Sequence, residues 1–366
     1  MAPQPGFDRR SLLRGGAAAT AASAIGLGAA GTAHAAGPAA APAGSRSAAR
    51  AKVAEPRIYS TEEWGARAPS SAIVVEDHRP TFIVVHHTAE PGNSEDYSLE
   101  HAKKICRDIQ NFHMDGNGWS DSGQQFTNSR GGFRLEGRHR SLEVVRGGTQ
   151  HVQGANVGNH NSEVIGIENE GLYTEVDVPQ ALWDSLVQLV AWIAAQYGTD
   201  LANIKGHRDF NSTECPGEVL YGRLQELRDA VGNALGLSSS LGELLNWPLL
   251  KPGSVGPQVR AAQHLLRAKG YSVPVDGIFG TSTKRAVAEL ADTHNIDRHT
   301  CSAMHHSKVD ETGFLGSDIW PLLTPGDRRP EGGEIEEAVG TLLRSKRGKA
   351  PDVGELTETA WKRLLN

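Results

Sequence analysis

The sequence predicts an α/β protein: a mixed central β-sheet flanked by helices, followed by a small, mostly helical C-terminal domain. Three observations predict it. Two short runs, TFIVVHH at 81–87 and EVIGIEN at 163–169, are β-branched and apolar in the manner of buried strands. Stretches with helical spacing alternate with them, and that alternation implies a sheet covered by helices. The last third of the chain repeats a turn, helix, loop, helix pattern.

The elements follow in order. Residues 1–35 read as an export signal. Arg9 and Arg10 precede a weakly apolar run, and Ala33-His34-Ala35 is a small-x-small cleavage site. Leu12 and Leu13 after the arginine pair give it the look of a twin-arginine signal. The alternative is an ordinary secretory signal with a chance arginine pair. Residues 36–56 are rich in Ala, Pro and Ser and read as flexible. A first ordered domain is expected over 57–235. Within it Ser98 is a candidate N-cap, and Leu99, Ala102, Ile105, Cys106, Ile109 and Phe112 repeat at helical spacing until Gly116. That spacing makes Cys106 a core thiol. Pro179 opens a second helix with Leu182, Leu186, Leu189 and Ile193 on one side, and Gly198 closes it.

Residues 236–246 read as a linker, and residues 247–366 as the helical domain. Trp247 matches Trp320 in its two copies, Leu265-Leu266-Arg267 matches Leu342-Leu343-Arg344, and the second copy lacks DGIFG. Net charge is −6 with 22% charged residues, which argues against nucleic acid as a partner. No later segment reaches ~18 consecutive apolar residues, so no membrane association is expected of the mature protein. Of the three cysteines, Cys106, Cys215 and Cys301, at least one must remain unpaired or bind a metal.

Three segments hold the candidate chemistry. FIVVHHTAEPG (82–92) sets His86 and His87 on opposite faces of a strand end, and alternation alone does not say which one is functional. EVIGIENEG (163–171) sets Glu168 and Glu170 on one face. GHRDFNSTECPG (206–217) carries His207 and Cys215. His86, His207 and Cys215 could supply the N, N and S donors of a catalytic zinc site, which needs three protein ligands and one open position. None of these spacings is a zinc signature by itself. A cysteine nucleophile served by His207 is the competing reading. THNIDRHTCSAMHH (293–306) clusters four histidines with Cys301 and reads either as a polar connection or as a second metal site.

IYSTEEWGARAP, FIVVHHTAEPG, IQNFHMDGNGWSDSGQQF, EGRHRSLE, QHVQGANVGNHNSEVIGIENEG and GHRDFNSTECPG occur in this order. From Ile58 to Tyr221 the chain thereby resembles the type 2 N-acetylmuramoyl-L-alanine amidases and the peptidoglycan recognition proteins. The resemblance implies that fold, with zinc as cofactor held by His86, His207 and Cys215. Bacterial peptidoglycan is the implied partner, and hydrolysis of the amide between muramic acid and L-alanine the implied activity. Family members that only bind peptidoglycan commonly lose the cysteine, which is present here. Glu168 resembles the glutamate that acts as general base, with Glu170 next in line. The chain departs from the family pattern twice. Gln124 stands where a tyrosine is usual, and Thr213 where phage-type members carry lysine. The resemblance then leaves His151 and Thr213 as candidates for stabilising the oxyanion. Residues 249–290 resemble a three-helix peptidoglycan-binding domain, whose implied role is anchoring. The second copy reads as scaffold. An exported, secreted or wall-associated zinc amidase is therefore expected, the alternative being a recognition protein with little turnover.

Overall fold

The computed structural model describes residues 52–237, 244–296, 303, 310–326, 332–346 and 355–366. The export signal, Cys301 and three of the four histidines clustered around it lie outside the described residues. In chain order the elements are β1 (Ile58–Tyr59), α1 (Thr61–Trp64), β2 (Val75–Glu76), β3 (Phe82–His87) and α2 (Leu99–Asn111). Next come β4 (Phe126–Asn128), β5 (Arg134–Glu136), α3 (Ser141–Gly147), β6 (His151–Val152) and β7 (Val164–Asn169). Then follow α4 (Gln180–Tyr197), β8 (Ile204–Gly206), α5 (Glu218–Gly222) and α6 (Leu224–Ala234). The C-terminal region holds α7 (Pro257–Ala268), α8 (Thr281–Thr293), α9 (Trp320–Leu323), α10 (Gly333–Ser345) and α11 (Glu358–Leu365).

Six strands form one mixed sheet in the order β1-β5-β4-β7-β3-β8. The β4–β5 pair is antiparallel and the other pairs are parallel. β2 and β6 form a separate antiparallel pair. Alternation along β3 sorts the side chains as expected. Ile83 and Val85 join Ile165, Ile167, Leu186, Leu189 and Ile193 in the main core, so α4 covers that face. Fully burying each such aliphatic side chain contributes roughly 1.5–3 kcal/mol. On the opposite face Val84 packs with Val157 and Val164.

Local capping explains where the helices start and stop. Ser98 Oγ accepts the His101 N–H at 3.2 Å and so starts α2. Gly198 takes a left-handed conformation after α4, with φ at 73°. Beyond Asn111 the α2 helix passes into a single π-helical turn that ends at Gly116, where the sequence pattern stops. Cys106 is 1% exposed, and burial pushes its thiol up to about 12, which fits a core thiol.

The two C-terminal copies share one core. α7 and α10 pack together through Val259, Ala262, Leu266, Ala338, Val339 and Leu342. The matched tryptophans, Trp247 and Trp320, stack with centroids 6.0 Å apart. The second copy thus buries the apolar face of the first. Ala48–Asn366 forms one compact unit.

Candidate metal centre

Parallel pairing in register places His86 beside Glu168 on the neighbouring strand. Both lie on the sheet face opposite α4. Directly after β8, the chain turns through His207–Asp209 and doubles back to Cys215. This turn holds itself in shape. Asp209 accepts the Gly206 N–H at 2.9 Å, and Thr213 Oγ1 accepts the Cys215 N–H at 3.1 Å. The Arg208 guanidinium lies over the Tyr221 ring at 4.4 Å.

His86, His207 and Cys215 therefore meet, although 129 residues separate the first and last. One ligand atom from each lies within 4.8 Å of the others, and all three residues are buried. His86 Nδ1 lies 3.6 Å from Cys215 Sγ and 3.9 Å from Glu168 Oε1. Nδ1 is thus the nitrogen turned toward the sulfur and the carboxylate. His207 Nε2 bonds Asn211 Oδ1 at 3.1 Å. The His87 N–H also reaches Cys215 Sγ, at 3.4 Å.

The donor set fits zinc. With Zn–N near 2.0–2.1 Å and Zn–S near 2.3 Å, a tetrahedral site separates N and S by about 3.5 Å. The His86–Cys215 pair already has that spacing. Burial lowers His86 to about 3, with the Asn156 side chain opposing weakly, so the ring is neutral and its lone pair available at neutral pH. Burial raises the Glu168 carboxyl well above the ordinary range, and its Oε2 is buried without a hydrogen-bond partner. A cation beside it would oppose that shift.

The remaining expected residues have other placements. His87 faces the opposite side of β3. Its Nδ1 accepts the Tyr173 N–H at 3.3 Å. Glu170 is engaged by His101 Nε2 at 2.8 Å and by the Arg130 N–H at 2.9 Å, so it ties loops together. Gln124 donates to Thr127 Oγ1 at 2.9 Å, and Thr127 is the register partner of Glu168 on β4. His151, one of the two oxyanion candidates, stands on β6. Its Nδ1 bonds the His78 carbonyl at 2.9 Å and its ring packs edge-on against His78, on the β2–β6 side. Thr213, the other candidate, donates its hydroxyl hydrogen to Glu311 Oε1 at 3.2 Å.

Sequence reasoning missed Asn156, Asn211, Glu311 and Asp318. Asn156 stands in QGAN, directly after the Gly-Ala pair of the motif. Its Nδ2 donates to Gly123 O at 2.9 Å. Its Oδ1 sits where a Cβ on Gly166 would come within 2.3 Å, so a larger residue at that point of β7 would displace the Asn156 side chain. Asn211 could have been found by its spacing of four from His207. Glu311 and Asp318 belong to the C-terminal region and carry no local signal.

Fold and site define the class: an α/β protein with a buried His-His-Cys cluster that could hold a metal ion, near the ends of its parallel strands. Residues 76–218 match the N-acetylmuramoyl-L-alanine amidase family, and residues 255–290 match a peptidoglycan binding domain. Peptidoglycan-recognition protein LB of Drosophila melanogaster is 28% identical over 209 residues, spanning 56% of this chain and 84% of that protein. Peptidoglycan-recognition protein SC2 of Drosophila simulans is 32% identical over 172 residues, spanning 46% and 84%. The N-acetylmuramoyl-L-alanine amidase of Sus scrofa is 31% identical over 175 residues, spanning 46% of this chain and 27% of its own length. Among solved structures, wild-type Drosophila PGRP-LB is 29% identical, with a TM-score of 0.41 over 46% of this chain and 92% of that one. The chain belongs to the family of N-acetylmuramoyl-L-alanine amidases and peptidoglycan-recognition proteins.

Proposed function

We propose that this protein is an exported, zinc-dependent N-acetylmuramoyl-L-alanine amidase that acts on bacterial peptidoglycan. The observation that carries the reading is the meeting of His86, His207 and Cys215, with a buried carboxylate 3.9 Å from the first. A protein that only recognises the polymer has no need of this set. Zinc bound there supplies a Lewis acid and lowers the pKa of water.

The chain's own residues have separable tasks. His86, His207 and Cys215 would hold the metal, with Glu168 beside His86. Glu168 takes a proton from the attacking water and returns it to the departing L-alanine nitrogen. Burial favours its protonated form, the form that donates in the second half of the reaction. The Arg9-Arg10 signal supports export. No helix among the described residues is long and apolar enough to cross a membrane.

Digestion of defined muropeptides by zinc-loaded and chelated protein, with products identified by mass, tests the reading. The zinc form should free the stem peptide with an L-alanine amino terminus and leave the glycan chain intact. Binding to sacculi without release would identify a recognition protein instead. Inactivation by iodoacetamide with insensitivity to chelators would restore the thiol mechanism.

A further inference from the structure

The C-terminal region was expected to anchor the enzyme to its polymer, yet the described residues show it gripping the turn that carries two of the three ligands. Two chains of hydrogen bonds run from C-terminal carboxylates to those ligands. In the first, Asp318 Oδ2 accepts from Asn211 Nδ2 at 3.4 Å, and Asn211 Oδ1 faces His207 Nε2 at 3.1 Å. In the second, Glu311 Oε1 accepts from Thr213 Oγ1 at 3.2 Å and from the Glu214 N–H at 2.7 Å. Thr213 Oγ1 in turn accepts the Cys215 N–H at 3.1 Å.

The contact is close and specific along its length. Asp318 Oδ1 accepts from Ser212 Oγ at 2.5 Å, and Ser212 Oγ accepts the Gly316 N–H at 2.7 Å. Ser317 Oγ donates to Arg208 O at 2.6 Å. A Cβ on Gly316 would come within 2.8 Å of Ser212 Cα, so the two backbones can approach this closely only with glycine there. Lys251 pairs with Glu214. Glu311 is only 3% exposed, so its carboxylate is built into the junction.

The geometry points to Asp318 and Glu311 as positioning residues of the metal centre: carboxylates of the C-terminal region that orient His207 and Cys215 through Asn211 and Thr213. A histidine ligand whose far nitrogen donates to a fixed acceptor is held in one tautomer and one ring orientation. Here Asn211 is that acceptor, and Asp318 fixes the amide so that its oxygen faces the ring. Glu311 does the same for the thiolate side by ordering the Thr213–Cys215 backbone. The C-terminal region is in this respect part of the metal site. The inference rests on the zinc reading above and does not require turnover.

The test measures zinc affinity of the full chain by competition with a chromophoric chelator. Asp318→Ala and Glu311→Ala should each weaken zinc binding roughly 10–100-fold, the usual effect of losing an outer-shell partner. Asp318→Asn and Glu311→Gln keep shape and acceptor oxygens, and should recover part of the loss. Cobalt-loaded alanine variants should show altered d–d bands, reporting a changed ligand geometry that general destabilisation would not produce. Glu337→Gln, at an exposed carboxylate of the same region, is the control and should bind zinc as wild type does. Affinities within about twofold of wild type in the folded Asp318 and Glu311 variants would overturn the inference. If the alanine variants do not fold, the isosteric pair decides by the same criterion, with a loss of at least about threefold expected. A wild-type chain that binds zinc without hydrolysing muropeptides would overturn the amidase reading and leave this one standing.

Discussion

At the scale of single residues, two adjacent histidines on one strand have different fates because β3 alternates. His86 points with Val84 toward Glu168 and Cys215, whereas His87 points with Val85 and bonds the Tyr173 backbone. His86→Ala should therefore abolish zinc binding. His87→Ala should retain stoichiometric zinc, as measured by atomic absorption after gel filtration. Under the proposed mechanism Glu168→Gln removes the proton acceptor and keeps His86, His207 and Cys215. Its turnover of soluble muropeptides should fall on the order of 10²–10⁴-fold at unchanged zinc content. Near wild-type turnover would assign the proton transfer to solvent.

At the scale of elements, β7 and its neighbours hold the site side chains at fixed spacing. Gly166 leaves room for the Asn156 side chain over β7. Gly166→Ala would put a methyl group within 2.3 Å of Asn156 Oδ1 and should destabilise the protein by about 1–3 kcal/mol in urea unfolding. A second device joins the segment before β4 to the start of α3. Buried Asp121 accepts from the His139 ring and backbone, both at 2.8 Å, and from Gln110 at 2.7 Å. The bond to Asp121 raises His139. Burial works against ionised Asp121, but its partners hold it below the ordinary value. The His139 contribution is thus complete below its ordinary pKa near 6.5 and is lost as pH rises through the raised folded value. The Asp121 contribution is present above about pH 4 and is lost as pH falls through the depressed one. His139→Ala should accordingly lower the urea midpoint more near about pH 5.5 than near about pH 8.5. An equal loss at both would show that the ring acts by packing alone.

At the scale of the whole molecule, zinc and the C-terminal region should both appear in global stability. A ligand that binds only the folded chain stabilises it by about 2.7 kcal/mol at a hundredfold excess over its Kd. Thermal unfolding should therefore shift upward with zinc and return to the apo value with chelator, and His86→Ala should show no such shift. The α2 and α4 helices, the β3 and β7 strands and the helical pattern of the C-terminal region were legible in the sequence, because periodicity and capping are local properties. The His-His-Cys set was legible through motif resemblance. The partners of those ligands were not, since Asn211 meets Asp318 across 107 positions of the chain.

The sequence by itself determined the α/β class, the alternation that separates His86 from His87, the buried thiol at Cys106, and the residue types able to bind a metal. Each follows from short-range regularities that one strand or one helix enforces. Tertiary structure alone decided that His86, His207 and Cys215 meet and that Glu168 stands beside His86. It also decided that the Thr213 hydroxyl meets Glu311, that His151 Nδ1 meets the His78 carbonyl, and that the C-terminal region contacts the turn from Arg208 to Ser212. These depend on strand order, register and the packing of distant segments, which no local pattern encodes.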